Sequence, residues 1–137
     1  MFALNAWSSS IYTDNKDGWG PQLAWDEDSK VFHSKPEDKP WLRIQLNRPT
    51  TITSVTIVNR KECCGDRLKN LAIRGGMSND LTNPVIGQFM GPGTTGGRYE
   101  IVLNNPLKVL YLSFQLKDNG GILQIDGIKL KESVKGK

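Results

Sequence analysis

The sequence has few of the residues and motifs on which enzymes and nucleic-acid-binding proteins depend. It contains one histidine and two cysteines, and the cysteines form no Cys-x-x-Cys motif. No pair of carboxylates can be assigned to a glycosidase cleft, so a thiol oxidoreductase, a metal hydrolase or a glycosidase is a weak interpretation. The 18 lysines and arginines are interspersed with 14 acidic residues and form no basic block. We therefore predict a protein that is not an enzyme and has no nucleic-acid partner.

Long apolar runs and helical periodicity are also absent. No apolar stretch approaches the roughly 20 residues that cross a bilayer, so no membrane insertion is expected. No window keeps a 3.6-residue period over three turns, and helices should therefore be few or none. The first residues, Met1 to Asn5, lack the charged and apolar regions of a signal peptide. The glycine-rich stretch 91–97 lacks the Lys-Ser/Thr ending of a phosphate-binding loop and is expected to be a flexible turn.

Short alternating segments separated by turns account for most of the chain. Leu42, Ile44 and Leu46 fall on one face of a strand that begins at Trp41. With 14 glycines and seven prolines available for turns, further apolar runs continue the series at 52–58, 71–73, 85–89, 99–103, 107–117 and 122–130. A chain of 137 residues can bury one sizeable core. The pattern predicts a single domain over residues 1–137, folded as an all-β antiparallel β-sandwich.

The most unusual stretch is residues 58–67, where a β-rich run ends and a surface loop begins. The only two cysteines, Cys63 and Cys64, are neighbours there. A trans peptide places adjacent Cα atoms about 3.8 Å apart, below the usual disulfide range, so a bond between them would close a small strained ring. Strain of this kind clusters at functional sites, where the surrounding structure imposes it. The residues alone leave two interpretations open: a vicinal disulfide, or two reduced thiols in the core.

Charged side chains surround the cysteine pair. Arg60 and Arg67 flank it, and Glu62 lies between Arg60 and the cysteines. Two guanidinium forks beside an apolar sulfur surface suit a ligand with hydroxyls on one face and C–H groups on the other, which describes a sugar. Glu62 can hold one guanidinium in place. The alternative is a pair of solvated surface arginines with a local ion pair.

The segment from Asn59 to Leu68 resembles the signature of the F-type lectins, also called fucolectins. In that signature 26 residues separate a histidine from an arginine, as they separate His33 from Arg60 here. An acidic residue follows, and four residues separate it from a basic residue, as they separate Glu62 from Arg67. Glu62 replaces the usual aspartate, which keeps the charge and lengthens the reach. Segments 5–10, 40–46 and 125–130 resemble the wider discoidin-type jelly-roll sandwich, so the resemblance covers most of the chain.

The resemblance implies a function and a set of binding residues. The protein would recognise terminal α-L-fucose on glycans and would not be catalytic. Hydrogen bonds to the sugar hydroxyls and ring oxygen would come from His33, Arg60 and Arg67, with Glu62 supporting an arginine. The pyranose ring would pack against a vicinal disulfide formed by Cys63 and Cys64.

Aromatic residues are expected both in the core and beside the sugar. Trp7 and Trp41 lie in strand-like contexts and are expected in the core. The resemblance implies an apolar pocket for the methyl group of fucose, lined by one of Trp19, Trp25 and Phe32. The sequence does not choose among these three.

The resemblance also implies a structural calcium ion. Asp26, Glu27 and Asp28 cluster in one loop, and oxygen-rich loops of this kind bind Ca²⁺. Asp26 and Asp28 match two of the family's ligands, and Asp126 is the nearest candidate for a later acidic ligand. The alternative for such a cluster is a solvated turn.

The expected partners are fucosylated glycans. The net charge of +4 also indicates acidic partners such as anionic glycans. A single weak site would need avidity from a homo-oligomer or from tandem domains. Because a vicinal disulfide favours an oxidising compartment, we expect an extracellular, secreted protein whose leader is not present in this chain. The main alternative is a discoidin-type module that binds membranes or protein partners, which leaves the cysteine pair unexplained.

Overall fold

Antiparallel strands dominate the residues that the computed structural model describes, 3–25 and 30–133. These residues form eight strands: β1 (Ala3–Ser8), β2 (Phe32–His33), β3 (Trp41–Val58), β4 (Leu71–Gly76), β5 (Val85–Phe89), β6 (Arg98–Leu116), β7 (Gln124–Ile125) and β8 (Gly127–Glu132). Helical structure is limited to α1 (Lys16–Trp19) and to 3-10 helices at Tyr12–Asp14, Pro21–Ala24 and Gly65–Arg67. Within the described ranges, no helix is long and apolar enough to cross a bilayer. The prediction of few helices is confirmed.

Two long strands, β3 and β6, run antiparallel through the whole sheet. β1 pairs with the first half of β3 and β8 with the second half, while β6 pairs with β4 and β4 pairs with β5. The β3–β6 register shifts between Gln45 and Thr50, and again between Ile52 and Ser54. Irregularities of this kind bend strands, so each long strand contributes to both layers of the fold. The predicted antiparallel β-sandwich is confirmed.

The division of the long strands differs from the prediction. The sequence predicted separate strands at 41–46 and 52–58, but β3 continues through both. Pro49 lies inside the first register shift, where its missing N–H removes no ladder hydrogen bond. In the same way β6 unites the predicted runs at 99–103 and 107–117. A proline at an irregular step thus bends a strand without ending it.

The apolar core lies between the two layers. Leu42, Ile44 and Leu46 of β3 are fully buried, as are Leu112 and Phe114 of β6, in agreement with the alternating pattern. Burying an apolar side chain of this size stabilises the fold by about 1.5–3 kcal/mol. Further core residues come from the other strands and from the loops between them, among them Ile52, Val55, Ile57, Leu68, Leu71, Ile73, Leu123 and Ile125.

The prediction that Trp7 and Trp41 lie in the core is wrong. Both side chains are half-buried on the outer face of the sheet, because Leu42 and its alternate neighbours take the inward positions. The Arg43 guanidinium carbon lies 5.3 Å from the Trp7 ring centroid and 4.7 Å from that of Trp41. Cation–π contacts therefore replace core packing for these two tryptophans.

A short ribbon of β2 and β7 brings two polar side chains to one end of the sandwich. Phe32 pairs with Ile125 and His33 with Gln124. Phe32 and Ile125 are fully buried in the core, and successive side chains of a strand face opposite sides. His33 and Gln124 therefore face away from the core. The sequence predicted one closing strand from 122 to 130, but Asp126 divides that stretch into β7 and β8.

Candidate ligand-binding site

The loop that follows β3 is held in shape by the buried amide of Asn59. Its Nδ2 donates to the carbonyl oxygens of Gly65 and Thr94, both at 2.9 Å. Its Oδ1 accepts from the backbone N–H of Arg60 at 2.9 Å. The side chain is 1% exposed, so these hydrogen bonds satisfy a polar group that water does not reach. The Asn59 side chain thus fixes the start of the loop at Arg60, its middle at Gly65 and the neighbouring segment at Thr94.

That neighbouring segment, residues 91–97, packs directly on the loop. Gly96 N–H donates to the Arg60 carbonyl oxygen at 2.7 Å, and Gly65 N–H donates to Thr95 Oγ1 at 3.1 Å. A Cβ atom at Gly65 would lie 2.1 Å from the Thr95 backbone nitrogen, so the close approach requires glycine. The sequence predicted only a flexible turn here. The segment instead serves as a hydrogen-bonded support for residues 59–68.

Cys63 and Cys64 are bonded to each other, with their Cα atoms 3.7 Å apart. Cys64 adopts the left-handed conformation, at φ 65°, and its carbonyl oxygen accepts from Arg67 N–H at 3.1 Å. A non-glycine residue in this region is uncommon and costs free energy, so the supporting hydrogen bonds around it are needed. The interpretation as a vicinal disulfide is confirmed, and both cysteines are half-buried with some of their surface exposed.

The predicted basic residues converge on a single oxygen atom. The Gln124 amide is oriented by the N–H groups of Arg60 and Arg67, which both face its side-chain oxygen. That oxygen lies 2.8 Å from Arg67 Nη1, 2.9 Å from His33 Nε2 and 2.9 Å from Arg60 Nη1. The structure therefore brings together residues from β2, from the loop after β3 and from β7. His33, Arg60 and Arg67, which the family resemblance grouped, thus lie together in the structure.

Gln124 is a site residue that the sequence analysis missed. It is 2% exposed and lies in β7, with apolar neighbours on both sides in the run Ile-Leu-Gln-Ile. A lone amide within such an apolar run is a usable signal, because a buried polar group needs hydrogen-bond partners. The signal does not identify those partners, since they come from distant parts of the chain.

Glu62 lies where the resemblance placed it, as a support for one arginine. Its Oε1 accepts from Arg60 Nε at 3.0 Å. The Arg60 side chain is 13% exposed and that of Glu62 is 65% exposed. An ion pair open to solvent on one side adds about 0–1 kcal/mol to stability. Its main effect is to fix the rotation of the Arg60 guanidinium, so that Nη1 points toward Gln124.

Two aromatic rings border the site. The Tyr12 and Trp19 ring centroids lie 4.3 Å and 5.1 Å from that of His33. The Arg60 guanidinium carbon lies 5.5 Å from the Trp19 ring. Of the three aromatic candidates, Trp19 is beside the site and Phe32 is fully buried in the core. Tyr12 was not predicted, because a tyrosine in a turn-rich segment gives no sign of which residue it packs against.

Burial lowers the pKa of the His33 imidazole from its usual 6.5, and the positive charges of Arg60 and Arg67 lower it further. A hydrogen bond with the Ser34 carbonyl oxygen and the charge of Glu62 act in the opposite direction. His33 Nδ1 lies 2.7 Å from that carbonyl, which can only accept, so the proton is assigned to Nδ1. In the neutral ring Nε2 is then an acceptor, although it faces the Gln124 oxygen.

The predicted calcium ligands fall into two groups. Asp26 and Asp28 lie outside the described residues. Asp126 is described and is 3% exposed, with Lys61 Nζ 3.9 Å from its Oδ2. Among residues 3–25 and 30–133, no three His, Cys, Asp or Glu side chains lie close enough to hold a metal ion. Calcium binding by Asp26, Asp28 and Asp126 stays a prediction.

Comparison with known proteins places this architecture among domains of one family. The model of the F5/8 type C domain matches residues 4–128. Fucolectin from the eel Anguilla anguilla is 45% identical over an alignment of 83 residues, and the match covers 50% of this chain and 52% of the eel protein. The chain thus spans about half the length of that relative.

Solved structures agree with this fold. A fucolectin from striped bass (Morone saxatilis) serum superposes with a TM-score of 0.84 at 24% identity, covering 93% of this chain and 46% of the bass chain. A Streptococcus pneumoniae fucose binding module has a TM-score of 0.75 at 17% identity and covers 96% of this chain and 93% of its own. These likenesses confirm the predicted discoidin-like sandwich. Because the family model spans nearly all of its strands, the chain belongs to the F5/8 type C domain family.

Proposed function

We propose that this protein is a non-catalytic lectin that binds glycans carrying terminal α-L-fucose. The observation that carries the proposal is the convergence of His33, Arg60 and Arg67 near a half-buried vicinal disulfide. The names of the eel, bass and pneumococcal relatives support the same class of ligand. A sugar is the ligand class that needs directed hydrogen bonds on one side and apolar contact on the other.

A hydroxyl group satisfies the hydrogen-bonding groups of His33, Arg60 and Arg67 together better than the Gln124 oxygen does. An amide oxygen only accepts, so it satisfies the two guanidinium N–H groups but not the lone pair of neutral His33 Nε2. A hydroxyl both accepts and donates. Bound near Gln124, it would accept from Arg60 or Arg67 and donate to His33. The site therefore favours an alcohol over a carboxylate or a carbonyl compound.

The apolar side of the site is made by the disulfide and by the aromatic rings. Cys63 and Cys64 are held rigidly, and their sulfur atoms are polarisable and carry no strong hydrogen-bonding group. In our proposal the C–H face of the sugar ring packs on these sulfurs, and the methyl group lies toward Trp19 and Tyr12. Contacts of this kind add dispersion energy and exclude water from the adjacent hydrogen bonds.

A cleft next to Arg67 is large enough to hold further sugars of a glycan. A cleft of about 520 Å³ lies beside Arg67 between the loop at 66–70 and the turn at 118–122. Its walls carry hydrogen-bonding side chains, among them Asp66, Lys69, Asn70 and Asn119. We propose that sugars linked to the fucose lie in this cleft, where polar side chains can distinguish one linkage from another.

A site of this size is expected to bind a single sugar weakly. A Kd of about 10⁻⁵–10⁻³ M corresponds to roughly −7 to −4 kcal/mol. Useful avidity would come from several copies, either in a homo-oligomer or in tandem domains. The serum origin of the bass fucolectin supports an extracellular location, in which the vicinal disulfide would persist.

Replacing either arginine is expected to abolish measurable binding of L-fucose while the fold survives. Arg60→Ala and Arg67→Ala each remove charge-assisted hydrogen bonds of about 1.5–3 kcal/mol, which lowers affinity by a factor of about ten or more. Calorimetry with L-fucose measures the loss, and circular dichroism checks the fold. Arg48→Ala is the matched control, because Arg48 is exposed on β3. If both site variants bind fucose within threefold of the unmodified protein, the site is misassigned. A glycan array on which the unmodified protein binds no glycan, with and without reductant, would favour the discoidin-type module.

Fucose binding is expected to decline as the pH falls below about 6.5. The pKa of His33 is lowered from its usual 6.5, so the folded protein takes up this proton at a lower pH than a free imidazole does. Protonation removes the Nε2 acceptor, and the unfolded chain takes up the proton more readily, so the free energy of unfolding falls over the same window. Titrations from pH 7.5 to 4.5 measure both effects. His33→Gln should bind weakly without this pH step. A flat profile in the unmodified protein would exclude an acceptor role for His33.

Reduction of the disulfide is expected to weaken fucose binding and leave the melting temperature nearly unchanged. A bond between adjacent residues closes no long loop in the unfolded chain, so it adds little entropic stabilisation. Its loss replaces a rigid apolar surface with two mobile thiols. Mass spectrometry after alkylation establishes that the bond is present and then opened, and melting and fucose titrations follow. A large fall in melting temperature with binding intact would make the bond structural.

Calcium is expected to raise the melting temperature through Asp126 and the loop at 26–28. A ligand that binds only the folded state stabilises it in proportion to the logarithm of its concentration. Melting is compared in CaCl₂ and in EGTA, for the unmodified protein and for Asp126→Asn. If Asp126 ligates calcium, the difference between the two buffers disappears in the variant. If Asp126 serves only Lys61, the variant melts lower by the same amount in both buffers, and the predicted ligand is wrong.

A further inference from the structure

A basic groove lies on the outer face of the sheet and shares no residue with the site around Gln124. Three cationic residues, Lys39, Arg74 and Lys117, line a concavity of about 350 Å³. The rest of the lining is neutral and consists of Ala72, Val85, Gln88, Gln115 and Leu116. We call this surface the basic groove.

The strand register places amide side chains and an aromatic ring in one row across this face. Gln115 of β6 pairs with Trp41 of β3 on one side and with Ala72 of β4 on the other. Ala72 in turn pairs with Gln88 of β5. Side chains opposite one another lie on the same face, so Trp41 borders the basic groove beyond Gln115. The row thus runs from the aromatic ring of Trp41, past Gln115 and the small apolar side chain of Ala72, to the exposed amide of Gln88.

Two of the three cations of the basic groove are held by neutral groups. Arg74 Nη1 donates to the Asn83 carbonyl oxygen at 2.9 Å, and Lys117 Nζ donates to Gln88 Oε1 at 3.0 Å. Within the described ranges, none of the three forms an ion pair with a carboxylate. All three therefore line the groove without an ion-pair partner among the described residues, while Asp38 and Asp118 adjoin Lys39 and Lys117 in the chain.

The second layer of the sandwich provides a contrast. There Lys129 of β8 and Glu100 of β6 both pair with Thr56, one on each side of β3. Charges of both signs thus alternate on that face, as on an ordinary solvated surface. The concentration of positive charge on the basic groove is a local property and not a consequence of the net charge of +4 alone.

We infer that the basic groove is a second binding site, for a sulfated glycan chain. A sulfate ester stays ionised at neutral pH and presents several acceptor oxygens, which match the donors of Arg74, Lys39 and Lys117. The amides of Gln88 and Gln115 suit sugar hydroxyls. The Trp41 ring and the Ala72 floor suit the C–H groups between them. A bare anion would make no use of this aromatic and amide row, and a concave surface without exposed aromatic tips is poorly shaped for insertion into lipid.

The test uses the full chain, a heparin hexasaccharide and its fully desulfated counterpart. The groove variant is Lys39→Gln/Arg74→Gln/Lys117→Gln. The control variant is Lys108→Gln/Lys129→Gln/Lys131→Gln, which removes the same charge from exposed positions on β6 and β8.

Calorimetry near physiological salt is expected to show binding of the sulfated probe only. The groove variant should lose about tenfold or more in affinity, and the control should change less than twofold. Fucose titrations and melting temperatures should be unchanged in both.

Nuclear magnetic resonance locates the probe independently of the variants. In the unmodified protein, the side-chain amide signals of Gln88 and Gln115 and the indole signal of Trp41 are expected to shift with the sulfated hexasaccharide and not with L-fucose. Equal loss in the control variant would show that binding follows net charge and would overturn the inference, as would equal binding of the desulfated probe. Phosphatidylserine vesicles that bind through the same three residues while the hexasaccharide does not would also overturn it, in favour of a membrane surface.

Discussion

Two guanidinium groups share one acceptor, the side-chain oxygen of Gln124, and the unprotonated Nε2 of neutral His33 faces the same atom. Like charges held this close repel, so the arrangement exists only because other contacts impose it. Glu62 offsets part of the charge at Arg60, and the Trp19 ring lies against the same guanidinium. The outcome is a set of donors that exceeds the acceptors available in the protein. Such a site is already oriented for a ligand that brings additional oxygen atoms, and little reorganisation remains to be done on binding.

The fold supplies this arrangement through rigid attachments on three sides. Phe32 and Ile125 anchor the short ribbon in the core, which leaves His33 and Gln124 on its opposite face. The loop after β3 is fixed by the Asn59 amide and by the support segment at 91–97. The strained residue Cys64 is tolerated because Gly65 packs so closely on Thr95. Recognition residues on loops can thus be as well ordered as residues on strands, provided that buried hydrogen bonds hold the loop.

The sequence predicted the parts of this structure that depend on local pattern or on a fixed spacing. Alternation gave the inward face of β3 correctly at Leu42, Ile44 and Leu46. The resemblance to a family signature identified His33, Arg60 and Arg67, three residues that do meet in space. The adjacent cysteines could be interpreted because their chemistry is unusual wherever they occur.

The predictions that were missed or wrong share a different cause: they depend on contacts between residues that are far apart in the chain. Gln124 could not be assigned a role, because its three partners come from β2 and from the loop after β3. The support segment at 91–97 was predicted as a flexible turn, since nothing in its own residues reveals the hydrogen bonds to Arg60 and Gly65. Trp7 and Trp41 were assigned to the core because they lie in strand-like contexts. Only the register shows that Arg43 lies between them on the outer face, and a guanidinium is a sufficient partner for an indole outside the core.

The two proposed binding sites, the one around Gln124 and the basic groove, would recognise sugars through different kinds of interaction. Around Gln124 the donors are largely buried, their geometry is fixed, and salt screens their interactions little. The basic groove is open, two of its cations are lysines on flexible stems, and its attraction for anions decreases with ionic strength. The first surface can therefore discriminate the configuration of single hydroxyls, whereas the second can respond to the density of charge along a chain. A domain that carries both would bind a glycan by its terminal residue and its neighbouring sulfated chains by their charge, and neither contact would require a change in the fold.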